Sequence, residues 1–141
     1  MKYLIDTNIV SHLLSPAPAA VVVDWLNEHN PDCALSIVTL AEIRYGVERL
    51  PVGKRRRALE KKARFLAEDY ADVILPFAEA EGYEWGRYCA QLEAVFGVKA
   101  LEHFDVRDTY IAATALVHSL IVVTDNTKHF ALVETLNPLQ S

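Results

Sequence analysis

Residues 106–126, VRDTYIAATALVHSLIVVTDN, decide the fold. Val106–His118 reads as a helix, and Leu120–Thr124 reads as a strand in which every residue is Leu or β-branched. An apolar run with no polar alternation suits a strand buried on both faces of a parallel sheet. Asp108 falls in the first turn of the helix, and Asp125-Asn126 follows the strand directly. Working outward, short apolar runs keep alternating with amphipathic stretches. Tyr3–Ile5, Cys33–Ser36 and Val73–Leu75 read as strands, with a last short one near Leu132–Leu136. Thr7–Leu14, Ala19–His29, Val38–Leu50, Lys54–Tyr70 and Phe77–Phe96 read as helices. This alternation predicts an α/β fold, a central parallel sheet with helices on both faces. Pro16, Pro18, Pro51-Val52-Gly53, Pro76 and Pro138 mark turns, but periodic segments continue across each. Residues 1–141 therefore read as a single domain.

The composition agrees. At 141 residues, 52% hydrophobic and 23% charged, the chain is long and apolar enough to bury a core without disulfides or a structural metal. Mean hydropathy is +0.11, yet no apolar run approaches the roughly 18 residues of a membrane helix. Asp6 cuts the first apolar stretch too early for a signal peptide, so the default expectation is a cytoplasmic protein with no membrane partner. Cys33 and Cys89 are too far apart for a CxxC site and read as small buried apolar residues. The five histidines show no ligand spacing and read as surface or core-edge residues, not as catalytic bases. A net charge of −5 argues against nonspecific nucleic-acid binding by overall charge. The basic residues are unevenly spread, however: Lys54, Arg55, Arg56, Arg57, Lys61, Lys62 and Arg64 are opposed locally by Glu60 alone.

In a parallel α/β sheet, right-handed crossovers bring strand C-termini and helix N-termini to one edge, where ligands bind. Asp6, Glu42, Asp108, Asp125 and Asn126 all map to that edge. Carboxylates converging from distant parts of the chain repel one another unless a cation sits among them. Oxygen ligands without His or Cys suit a hard ion, Mg²⁺ or Mn²⁺. Such ions are a standard means of activating water against a phosphodiester. Local readings compete with this. Asp6 sits where an N-cap belongs, Thr39-Leu40-Ala41-Glu42 matches a capping box, Asp105 and Asp108 suit a helix N-terminus, and Asp125-Asn126 suits a turn. A phospho-accepting receiver domain fits poorly. Asp6 is followed by Thr7-Asn8 rather than a second acid, and the Val73–Leu75 strand ends in Pro76.

Four motifs in order carry a resemblance. Leu4-Ile5-Asp6-Thr7-Asn8 resembles the opening of PIN-domain ribonucleases. The stretch from Ser36 to Gly46, with Glu42 four residues before the glycine, resembles their second motif. Asp108-Thr109-Tyr110-Ile111-Ala112-Ala113-Thr114-Ala115 resembles the third, and Val123-Thr124-Asp125-Asn126-Thr127-Lys128-His129-Phe130 the fourth. The chain is most similar to the toxins of VapBC-type toxin–antitoxin pairs, FitB-like proteins included. The resemblance implies a three-layer α/β/α sandwich and an endoribonuclease dependent on Mg²⁺ or Mn²⁺. It implies Asp6, Glu42 and Asp108 as the core carboxylates, with Asp105 a lesser rival of Asp108. Where many relatives carry a fourth acid, this chain has Asn126, so either Asn126 or its neighbour Asp125 completes the set. Thr7, Asn8 and Thr124 are candidates to orient the carboxylates, or are simply turn and cap residues. The departure at Asn126 keeps open an alternative, a PIN-like interaction module without catalysis.

The basic stretch, above all Lys54, Arg55, Arg56 and Arg57, is expected to track an RNA backbone, meet an acidic partner segment, or form a solvated helix face. Arg44, two residues after Glu42, is a separate candidate for a phosphate contact or for pairing a site carboxylate. The resemblance further implies an RNA substrate and a cognate antitoxin whose C-terminal segment covers the active-site groove. It also implies a homodimer within a larger toxin–antitoxin assembly. Leu13, Leu14, Tyr45 and Val47 are candidates for an interface or for the core.

Overall fold

The computed structural model describes residues 1–140. Five strands, β1 (Tyr3–Ile5), β2 (Cys33–Ser36), β3 (Ile74–Leu75), β4 (Ile121–Val123) and β5 (Thr135–Leu136), form one parallel sheet in the order β3-β2-β1-β4-β5. Six helices join or flank them: α1 (Thr7–Leu13), α2 (Ala20–His29), α3 (Ile37–Glu48), α4 (Lys54–Asp69), α5 (Glu79–Phe96) and α6 (Val106–His118). Successive strand side chains point to opposite faces. Tyr3, Ile5, Cys33, Leu35 and Val123 enter a core with Ile9, Val10, Val22, Trp25, Leu26 and Ile43 from α1, α2 and α3. Leu4, Ala34 and Val122 enter the other, with Tyr88, Leu92, Ile111, Ala112 and Ala115 from α5 and α6. The three-layer α/β/α arrangement follows, as the sequence predicts.

Strand order decides where a site can form. The chain builds outward from β1 to β2 and β3, then returns to the other side of β1 for β4 and β5. The carboxyl ends of β1 and β4 therefore flank the point where the winding reverses, which is where open α/β sheets leave a crevice. Leu4 pairs with Ala34 on one side and Val122 on the other.

Several element boundaries differ from the sequence reading. Helix α3 begins at Ile37, and Ser36 caps it by accepting the Val38 N–H at 3.0 Å. Thr39 thus is not the cap, and Glu42 lies in the second turn rather than the first. Strand β3 is reduced to two residues, because Val73 closes a short 3₁₀ turn and Pro76 has no N–H to extend the ladder. Strand β5 is confined to Thr135–Leu136; Leu132, inside the predicted segment, takes a left-handed φ of 62° that a strand excludes. Cys33 and Cys89 are free and buried. Val47 is fully buried, and Leu13 and Leu14 pack against the core, so of the four interface candidates only Tyr45, 59% exposed, presents its side chain outward. No helix among the described residues is long and apolar enough to cross a membrane.

Candidate active site

Asp6 follows β1 directly, and its N–H donates to Val123 O on the neighbouring strand at 2.9 Å. This pulls the residue into the seam between β1 and β4, where it is 1% exposed. It occupies the N-cap position of α1 without a side-chain cap hydrogen bond, although the Thr7 backbone N–H favours its ionised form. Oδ2 accepts the Thr124 hydroxyl at 2.8 Å. Oδ1 is buried with no hydrogen-bond partner. Burial pushes the carboxyl up to about 6, Thr124 pulls against that, and Asp108 and Glu42 add repulsion. A buried carboxylate oxygen with no donor is costly unless something positive meets it.

Thr124 does two things at the end of β4. It donates to Asp6 and accepts the Asn126 N–H at 3.0 Å. Thr7 donates to Glu42 Oε1 at 2.9 Å and lies 2.9 Å from the Thr39 hydroxyl. Having spent its one proton on Glu42, Thr7 must accept from Thr39. Thr39 is fully buried on the first turn of α3, so a buried hydroxyl relay sets the direction of Glu42. Asp108 is held from the first turn of α6. Burial first, then the Asp105 charge and Glu42, raise its carboxyl to about 6, with His129 pulling the other way. Asp6 thus feels both Asp108 and Glu42, and Asp108 feels Glu42.

Two basic groups that the sequence reading passed over stand at this cluster. Arg107 Nη1 lies 3.6 Å from Glu42 Oε2. His129, a surface residue as the sequence reading has it, places Nδ1 3.4 Å from Asp108 Oδ2 and 3.0 Å from Asn126 Nδ2. Among the described residues, no three acidic, imidazole or thiol groups stand close enough to enclose an ion as they are. The cause is visible in the partners: Glu42 turns toward Thr7 and Arg107, and Asp108 toward His129. The donor set nonetheless suits a hard cation. It is made of carboxylate oxygens, it is self-repelling, and one of its oxygens is buried without a donor.

The remaining predicted residues are placed as follows. Asn126 is in the Thr124–His129 network, whereas Asp125 is exposed with no hydrogen bond or ion pair. Asn8 is exposed and bonds to none of the carboxylates. Asp105 caps α6 by accepting the Arg107 N–H at 2.9 Å, so it serves the helix and Arg107 rather than replacing Asp108. Arg44 points away from the site and pairs with Glu48 and Glu60. Arg56 is tied to Glu48 at 2.8 Å. Lys54, Arg55 and Arg57 lie exposed along α4, which has no fully buried residue. A cleft of about 410 Å³ between α1, α3 and α4 is lined by Leu14, Ile43, Leu50 and Leu59 together with Glu42, Arg55 and Lys62.

The profile of the PIN-domain family matches residues 3–135. Toxin FitB of Neisseria gonorrhoeae is 38% identical over 139 residues, covering 96% of each chain. VapC ribonuclease Y4jK of Sinorhizobium fredii is 30% identical over 139 residues, again with 96% of each chain covered. The structure of FitAB bound to the IR36 DNA fragment contains a chain 35% identical to this one with a TM-score of 0.83, covering 96% of this chain and 94% of that one.

Proposed function

This chain belongs to the PIN-domain family, and from that premise we propose that it is the endoribonuclease toxin of a VapBC-type toxin–antitoxin pair. The observation that carries the reading is Asp6. It is buried at the sheet's reversal point, raised to about 6, and offers Oδ1 to no donor of the protein. A side chain destabilised in that way suits a cation site far better than a structural one.

Asp6, Glu42 and Asp108 would hold Mg²⁺ or Mn²⁺, with Asn126 at the fourth position in preference to Asp125. When bound, the ion supplies Lewis-acid activation of water and offsets charge at the scissile phosphate. The chain's own groups prepare the site. Thr124 fixes the rotamer of Asp6. The Thr39–Thr7 relay fixes Glu42. Arg107 partly balances Glu42, and His129 stands beside Asp108 and Asn126. The cleft, lined by apolar side chains, Arg55 and Lys62 as well as Glu42, suits an antitoxin segment that carries apolar and acidic side chains. The protein acts in the cytoplasm, as a homodimer within a larger complex with its antitoxin.

The test is cleavage of RNA by purified protein with and without Mg²⁺ or Mn²⁺. Cleavage should need the ion and be lost in Asp6→Asn. The reading of a non-catalytic interaction module predicts the opposite, no cleavage and no Mn²⁺ binding in calorimetric titration.

A further inference from the structure

We infer that Arg107 is the phosphate clamp of this site, gripping a backbone phosphate of the RNA at the mouth of the acidic cluster; the inference rests on the ribonuclease reading above. A site built of carboxylates repels a polyanion, so a fixed positive group at its rim is required to seat the substrate. Of the arginines expected to do this, Arg44 is engaged by Glu48 and Glu60 and Arg56 by Glu48, while Arg55 and Arg57 lie exposed along α4 and pair with none of the three carboxylates. Arg107 is held for the purpose. Its Nε donates to Asp105 Oδ1 at 3.1 Å and its Nη2 to Asp105 Oδ2 at 2.8 Å, a two-point fork on a residue that also caps α6. One edge of the guanidinium is thereby locked to a helix end. The other nitrogen, Nη1, makes no hydrogen bond among the described residues and stands 3.6 Å from Glu42 Oε2, beyond hydrogen-bond reach. The side chain is 49% exposed. A planar donor with one edge fixed on Asp105 and its remaining nitrogen held only by a long ion pair to Glu42 can turn that nitrogen to a phosphate oxygen beside the catalytic carboxylates. Asp105 is then a positioning residue, which accounts for its lying so near Asp108 without joining it.

The experiment compares wild type, Arg107→Ala, Arg107→Lys and Asp105→Ala on a single-stranded RNA oligonucleotide with Mn²⁺. Arg87→Ala serves as a control of equal charge, since Arg87 pairs with Glu84 on α5. In Arg107→Ala, kcat/KM should fall about 10- to 100-fold, most of it in KM, as for loss of one charged hydrogen bond. Arg107→Lys and Asp105→Ala should lose less, and Arg87→Ala less than about twofold, the size of change an exposed ion pair allows. In an Asp6→Asn background, where cleavage is silent, Arg107→Ala should also lower the slope of log Kd for the RNA against log salt by about 0.7, the signature of one lost single-strand phosphate contact. Melting temperatures check folding. An unchanged KM and salt slope overturn the inference, as does a Mn²⁺ affinity that tightens while KM stays constant, because Arg107 would then serve only to neutralise Glu42. A wild type that cleaves no RNA with any divalent ion overturns the parent reading instead.

Discussion

Asp6 is folded into a place that disfavours its ionised form, and that fact makes it testable. Its carboxyl and that of Asp108 are raised to about 6 from an ordinary 3.8, burial being the first cause in both. An acid with a raised folded-state value holds a proton that the unfolded chain has released. Its contribution to stability is complete below about pH 4 and is lost as pH rises through about 6. Asp6→Asn removes that loss. In EDTA, its melting temperature should equal or exceed wild type, and the gain should grow between pH 4 and pH 7. A drop at every pH would mean Asp6 is structural after all. The same protons compete with a cation. Mn²⁺ affinity in calorimetry should therefore weaken steadily as pH falls from 7 to 5. At this scale the sequence was readable where a residue's place follows from its own motif, as with the positions of Asp6, Glu42 and Asp108 near the strand ends. It was unreadable where a partner comes from elsewhere. Arg107 carries no motif signal, although it lies two residues from Asp105, whose cap it completes, and His129 lies within the fourth motif without its spacing showing that it reaches Asp108.

Helix α3 shows how an element aims a functional group. Its true cap is Ser36, which sets its start at Ile37 and so puts Thr39 and Glu42 on the side facing α1. Ser36→Ala should cost about 1 kcal/mol of stability, read as a lower urea midpoint with unchanged slope. Cleavage should fall with it, because the Thr39–Thr7–Glu42 relay begins on that first turn. Helix α4 illustrates the opposite case. Its charge run and apolar spacing announce an amphipathic helix, and it packs Ala63 and Leu66 on the first core. Which of its cations stay available depends on neighbours. Arg56 is taken by Glu48, and Lys62 donates to Leu14 O at 3.1 Å. Reversing a cleft charge with Arg55→Glu should weaken antitoxin binding at least tenfold in a titration with the purified partner, since it places a like charge against an acidic segment.

For the whole molecule, cation binding and stability are linked. A ligand bound only by the folded state stabilises it by about 2.7 kcal/mol at a hundredfold excess over Kd. Saturating Mn²⁺ should therefore raise the melting temperature by roughly 5–10 °C, and EDTA should reverse the shift. No response in wild type would remove the cation site. The layered fold was legible along the chain because strand and helix formation depend on near neighbours: side-chain period, β-branching, prolines and glycines. The acidic edge was legible for the same reason, once parallel crossovers put each strand's end on one side. The sequence by itself therefore determined the elements, the parallel sheet and the three carboxylates at its edge. Only the tertiary structure decided that Thr124 meets Asp6 across 118 positions, that Arg44 turns away, and that Arg107 and His129 turn in. Those pairings follow from how two cores seat the helices and from which charged groups must find a partner when water is excluded, and neither is a property of any short stretch of chain.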